Sequence, residues 1–202
     1  MITLPNVKEI ALIVHDMSND ALKPGGKYPN AEAASKDPAV QEYVQNNVKL
    51  LQAARARGIT VFHTGHYLRP DYQDVAPNGN SARVGALQAD TWGAEPIEEL
   101  APLPGEWRVR KGGGYSAFTG SPLDKWLHRL GITTLIIGGA GTHAGVEATV
   151  RDMREYDYHA VIASDACSGA GAEHHAASML TLTFAQRGTT QEVLDALDKA
   201  PD

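Results

Sequence analysis

The stretch "TTLIIGGAGTHAGVEATVRDMREY" (133–156) decides the fold. Its first half is a short β-branched run of the kind that forms a strand buried on both faces. Glycines then break it, and "THAGVEATVRDMREY" (142–156) reads as a helix. Strand, glycine turn and helix in that order form half of a parallel βαβ unit. The turn between them is where such units bind ligands.

Outward from this stretch the alternation repeats. "EIALIVHD" (9–16) and "ITVFHT" (59–64) read as buried strands. Between them, 38–57 places Val40, Val44, Val48, Leu51 and Ala54 on one helical face, stopped by Gly58. "EWRVRK" (106–111) reads as a strand and "SPLDKWLHRLG" (121–131) as a helix. "HAVIASDA" (159–166) is a strand, 172–188 a helix and 190–200 a final helix. Strands alternating with helices predict an α/β protein with a parallel sheet covered on both faces. Residues 65–105, rich in Pro, Gly, Asn and Asp, are too long for a plain connection and read as a loop over a site or a subunit contact.

Bulk properties narrow the function. The 202 residues, 43% of them hydrophobic, suit one domain over 1–202. Twenty-four acidic against eighteen basic residues, with no basic run, give a net charge of −6 and argue against nucleic acid as a partner. A small-molecule substrate is the expectation. The N-terminus lacks a secretory pattern and no apolar run approaches the roughly 20 residues of a membrane span, so a soluble, cytoplasmic protein with no membrane partner is expected. The single cysteine, Cys167, leaves no internal disulfide and reads mainly as a packing residue.

The strand ends carry Asp16, His63, Lys111, the 139–145 turn and Asp165. An aspartate against apolar walls can have its pKa raised enough for acid–base work, and a nearby lysine lowers the cost of negative charge. Amides at the glycine turn, those of Thr142 and Gly145, can hold an anion. The spacing there is not a dinucleotide fingerprint, and no cofactor is expected. His63 and His66, with Asp71, form a weak metal pattern, and no metal is expected either. His143, His174 and His175 fall near helix starts, where one can reach a substrate.

Three segments together, "ALIVHDMSND", "KGGGYSAFTGSPLDKWLHRLGI" and "GGAGTHAGVEATVRDMREYDYHAVIASDAC", resemble the isochorismatase-like hydrolase superfamily, the cysteine hydrolases, over nearly the whole chain. The resemblance implies a three-layer α/β/α sandwich with a mostly parallel six-stranded sheet, and a homo-oligomer, dimer or tetramer. It also implies a catalytic Asp–Lys–Cys triad at Asp16, Lys111 and residue 145, and a cis peptide at Ala140–Gly141. Residue 145 is glycine, which cannot form an acyl-enzyme.

True isochorismatases also lack that cysteine, so the resemblance implies hydrolysis of a small metabolite without a thiol, possible as vinyl-ether hydrolysis with Asp16 as acid. The alternatives are an amidohydrolase whose cysteine has become Gly145, or a non-catalytic ligand-binding relative. Tyr115, Phe118, Trp92 and His143 are the expected pocket residues, beside Thr142. The segment after Lys111 has one residue more than the family's usual spacing, so a bulge is expected to bring Lys111 to the site.

Overall fold

A computed structural model describes residues 2–169 and 171–202. In chain order it contains β1 (Ile10–His15), the short helices α1 (Asn19–Leu22) and α2 (Ala31–Ala34), α3 (Pro38–Ala56), β2 (Thr60–His66), α4 (Asn80–Val84) and β3 (Trp107–Lys111). There follow α5 (Leu123–Leu130), β4 (Thr134–Ala140), a wide helical turn over Thr142–Val146, α6 (Glu147–Glu155), β5 (His159–Ser168), α7 (Ala172–Thr181), β6 (Gln186–Gly188) and α8 (Thr190–Lys199).

The six strands form one sheet in the order β3-β2-β1-β4-β5-β6, every pair parallel. β1 is buried at every position because it feeds two cores. Ile10, Leu12 and Val14 face a core shared with Val44, Leu50 and Leu51 of α3 and Val193 and Leu197 of α8. Ala11 and Ile13 face the other, with Leu123 and Leu127 of α5 and Val150 and Met153 of α6. Both faces of the sheet are therefore dry, which is why its central strands read as unbroken apolar runs.

The helix ends follow local chemistry. Asp37 caps α3 by accepting from the Ala39 amide at 2.9 Å, with Pro38 at the first turn. Thr189 and Glu192 cap α8 reciprocally. Asp165, expected at a strand end, lies within β5, which runs on to Ser168, and belongs to this scaffold: its carboxylate accepts from the Thr190 amide at 2.6 Å and the Thr190 hydroxyl at 2.7 Å.

Two segments differ from the sequence reading. The helix expected over 172–188 stops at Thr181, and Gln186–Gly188 is the sixth strand, too short for a periodic signal. Residues 65–105 are ordered by contacts with the chain that follows β1. The buried Asp20 carboxylate accepts from the Leu87 amide at 2.7 Å and the Lys27 amide at 3.0 Å, and Asn19 Nδ2 donates to the Trp92 carbonyl at 2.9 Å. A third apolar cluster of Leu68, Ala86 and Leu87, backed by Tyr28, Tyr72, Val75 and Val84, completes the loop. No helix among the described residues is long and apolar enough to cross a membrane.

Candidate active site

Strand order reverses direction between β1 and β4, so the crevice beyond their carboxyl ends is the place where such a sheet receives a ligand. Asp16 lies there, one residue past β1, with φ 52°, a left-handed conformation that aspartate tolerates better than most side chains. Lys111 is the last residue of β3 and is 1% exposed. Its Nζ donates to Asp16 Oδ2 at 2.5 Å and to the Tyr115 carbonyl at 2.8 Å. β3 pairs with β2 in unbroken register through His66↔Lys111, so no bulge is needed. The extra glycine of 112–114 is absorbed after the strand, not within it.

Two imidazoles complete this group. His15 is fully buried; its Nδ1 pairs with the Thr64 hydroxyl at 2.8 Å, and its Nε2 lies 3.3 Å from Asp16 Oδ2 and 3.4 Å from Lys111 Nζ. His66 Nε2 is 3.9 Å from Asp16 Oδ2, while its buried Nδ1 has no hydrogen-bond partner among the described residues. Asp16 Oδ1 is likewise buried and unpartnered there.

Electrostatics overturns one expectation. Burial by itself would raise the Asp16 pKa, but the Lys111 ammonium, then His15 and His66, outweigh it and hold the carboxyl well below the usual range. Asp16 is a carboxylate at neutral pH. Burial lowers both histidines, His66 to about 4, so both rings are neutral there.

Gly145 explains itself through His15. A Cβ at position 145 would fall 2.4 Å from His15 Nε2 and 3.3 Å from Asp16 Oδ2. The imidazole fills the space that any side chain at 145 needs. Gly139 answers to the same strand end, since a Cβ there would lie 2.1 Å from the His15 carbonyl oxygen. Between them the chain forms a wide turn, with the Val146 amide bonded to the Gly141 carbonyl five residues back at 3.1 Å. Such turns occur mostly as single local widenings of a helix, often at functional sites. Gly139 at φ 138° and Gly141 at φ 78° reverse the backbone with trans peptides: there is no cis bond at Ala140–Gly141 or elsewhere among the described residues.

Above this floor lies a cavity of about 620 Å³. Asp16, His66 and Gly145 form its base, Tyr115 and His143 its rim, and Leu68, Val75 and Asn80 part of its roof. The 65–105 loop is thus a cover for the site. Lys and Arg side chains are missing from the described lining, because Lys111 lies beneath Asp16.

Other expected pocket residues are elsewhere. Trp92 is 55% exposed and does not line the cavity; its turn is fixed by its carbonyl's bond to Asn19. Phe118 is buried in the second core, stacked on Tyr156 and Tyr158, because its apolar ring packs inward from the loop after Lys111. Thr142 is fully buried with its hydroxyl on His175 Nδ1 at 3.1 Å, so its side chain ties the turn to α7 and does not line the cavity. His174 lies 5.3 Å from the His143 ring.

His63, His66 and Asp71 do not converge. His63 Nε2 pairs with Glu106 at 2.8 Å, and Asp71 pairs with Arg69. No metal-binding cluster occurs among the described residues. Burial pushes the Cys167 thiol up to about 12, which makes it unreactive. His15 escaped sequence reasoning because it closes an apolar run and offers no motif; its only signal is its place beside Asp16 opposite a glycine turn.

A model of the isochorismatase domain matches residues 10–193. The chain belongs to the isochorismatase family. It is a hydrolase of that family, and its relatives include amide-cleaving enzymes. It is 30% identical over 186 residues to the ureidoacrylate amidohydrolase RutB of Azorhizobium caulinodans, covering 83% of this chain and 80% of that one. It is 31% identical over 195 residues to the uncharacterized isochorismatase family protein YecD of Escherichia coli O157:H7, covering 95% and 98%. A crystal structure of a cysteine hydrolase from Pseudomonas syringae pv. phaseolicola 1448A superposes with a TM-score of 0.84 at 29% identity, covering 98% of this chain and 97% of the other.

Proposed function

We propose that this isochorismatase-family hydrolase cleaves a small, uncharged carbonyl compound, an amide or ureide, by direct attack of water and without a covalent intermediate. The observation that carries this reading is the Asp16–Lys111 pair opening into the cavity beside Gly145, whose side-chain space is taken by His15. With no side chain at 145 to attack, the nucleophile is water. The amides of Thr142 and Gly145 are the proposed donors to the developing oxyanion, since those of Gly141 and Ala144 already donate to the Ser168 and Gly141 carbonyls. Lys111 offsets the negative charge that builds on the Asp16 side of the site.

Two features favour a neutral carbonyl substrate over an acidic vinyl ether. The described lining offers no cationic side chain to a carboxylate, and Asp16, held ionised, is a poor proton donor. The relatives named as ureidoacrylate amidohydrolases support cleavage of a C–N bond, although the substrate they are named for is itself a carboxylate.

The test is a panel of neutral amides and ureides assayed for ammonia release, run beside an enol-pyruvyl ether assayed for pyruvate. Ammonia release by the wild type, lost in Asp16→Asn, supports the reading. A single turnover in H₂¹⁸O should place the label directly in the acid, with no acyl-protein adduct by mass spectrometry. Pyruvate release alone would replace the amide reading with vinyl-ether hydrolysis, and no turnover of either kind would favour a ligand-binding protein.

A further inference from the structure

Direct attack by water needs a group to accept the water's proton, and Asp16 is badly placed for it. Its Oδ2 already holds Lys111 Nζ at 2.5 Å, with two imidazoles close by. A carboxylate so stabilised holds a proton weakly. His15 is sealed under Gly145, fully buried and away from the cavity lining. His143 is an exposed ring on the rim against His174. Among the described imidazoles, His66 alone both lines the cavity and adjoins Asp16.

Resting on the hydrolytic reading above, we propose that His66 is the catalytic base: its imidazole takes the proton of the attacking water while Asp16 orients that water. His66 Nε2 and Asp16 Oδ2 are 3.9 Å apart, a gap that one water spans by donating to each at ordinary hydrogen-bond lengths. The water oxygen then presents a lone pair to the cavity. As it bonds the carbonyl carbon, its O–H bond breaks toward Nε2. When the C–N bond breaks, the imidazolium returns that proton to the departing nitrogen, leaving acid, amine and a neutral ring.

The surroundings suit a ring that is neutral at rest and gains a proton briefly. Burial, followed in smaller measure by Lys111 and His15, disfavours imidazolium, while Asp16 and the Gly112 backbone favour it. Tyr28, Tyr67, Tyr115 and His143 are the other titratable groups on the cavity wall. Above about pH 4 the ring is free to accept a proton.

His66→Gln keeps a hydrogen-bonding side chain and removes the basicity. Using the best neutral amide of the panel, we expect kcat to fall about 10²- to 10³-fold with KM changed by less than about threefold. The wild-type kcat should decline in acid toward pH 4, and the variant should lack that limb. Added imidazole should restore part of the activity of His66→Ala and none of that of Asp16→Asn. If the wild type turns over amides and His66→Gln retains kcat within about threefold, His66 is not the base and the hydrolytic reading stands. If imidazole fails to rescue and the acid limb survives in the glutamine variant, His66 is a packing residue. A wild type that turns over nothing overturns both.

Discussion

The floor and the roof of the cavity are built by opposite rules. The floor is made of strand ends: Asp16 after β1, His66 ending β2, Lys111 ending β3 and the glycine turn after β4, in a sheet whose register is regular from β3 to β4 and shifts between β4 and β5 at Ile137/Gly139. It holds the charges, with Lys111 buried and Asp16 half-buried above it. The roof is irregular chain between β2 and β3, lined by neutral residues such as Leu68, Val75 and Asn80 and pinned to the chain after β1 by the Asp20 carboxylate. Rigid strands can hold a buried ion pair at fixed distance, whereas a loop can change its lining with little cost to the core. Under the proposed function, chemistry belongs to the floor and substrate choice to the roof.

The sharpest way to break this division is at Asp16. Asparagine tolerates the same left-handed backbone, so Asp16→Asn isolates the charge. Activity should fall about 10³-fold or more, and stability by about 3–5 kcal/mol, because Lys111 is left buried and unpaired. Adding Lys111→Met should return stability, measured by chemical denaturation, without returning activity. Recovery of both would show that the pair is only scaffold.

Next in size is the roof's anchor. Asp20→Ala strands the Leu87 and Lys27 amides, at about 1–3 kcal/mol for each that stays buried, and frees the loop. KM should rise several-fold more than kcat falls, and amide exchange across 84–90 should quicken. An equal fall in kcat with unchanged KM would mean that the roof takes part in the chemistry.

Gly145→Cys comes third. The thiol's Cβ meets His15 Nε2, so the single variant should lose about 1–3 kcal/mol and gain no thiol-dependent activity. His15→Ala with Gly145→Cys should be more stable than Gly145→Cys alone. A single variant as stable as the wild type, with an alkylatable thiol, would show that the two positions are independent.

The smallest effect is with pH. His15, His63 and His66 all have folded pKa values below their unfolded value of about 6.5, in each case chiefly through burial. Between those values the unfolded chain binds more protons. Stability is then complete above about pH 6.5 and declines as pH falls toward 4. His66→Gln should flatten part of that decline; an unchanged slope would place the proton uptake on the other two rings.

Much of the floor was legible in sequence because strand ends announce themselves: the expected strands stop at Asp16, Thr64, Lys111 and the 139–145 glycines, though β2 runs two residues further, to His66. The roof was legible only as a loop with a purpose. Trp92 and Phe118 looked like walls because aromatic rings often are, yet the direction of a ring in irregular chain depends on what it packs against. Here that is solvent for one and Tyr156 and Tyr158 for the other. His66 looked like half of a metal pair because spacing does not reveal that His63 points to Glu106 on the other side of the strand.

The sequence by itself determined the alternation of strand and helix, the parallel sheet and the absence of a nucleophile at residue 145, since periodicity and residue identity are local properties. Only the tertiary structure decided the protonation of Asp16 and the reason for Gly145. A pKa is set by every charge and wall within a few ångströms, and here those come from β1, β2 and β3 at once. The glycine is explained by an imidazole 130 residues away in the chain, brought against it by the pairing of β1 with β4.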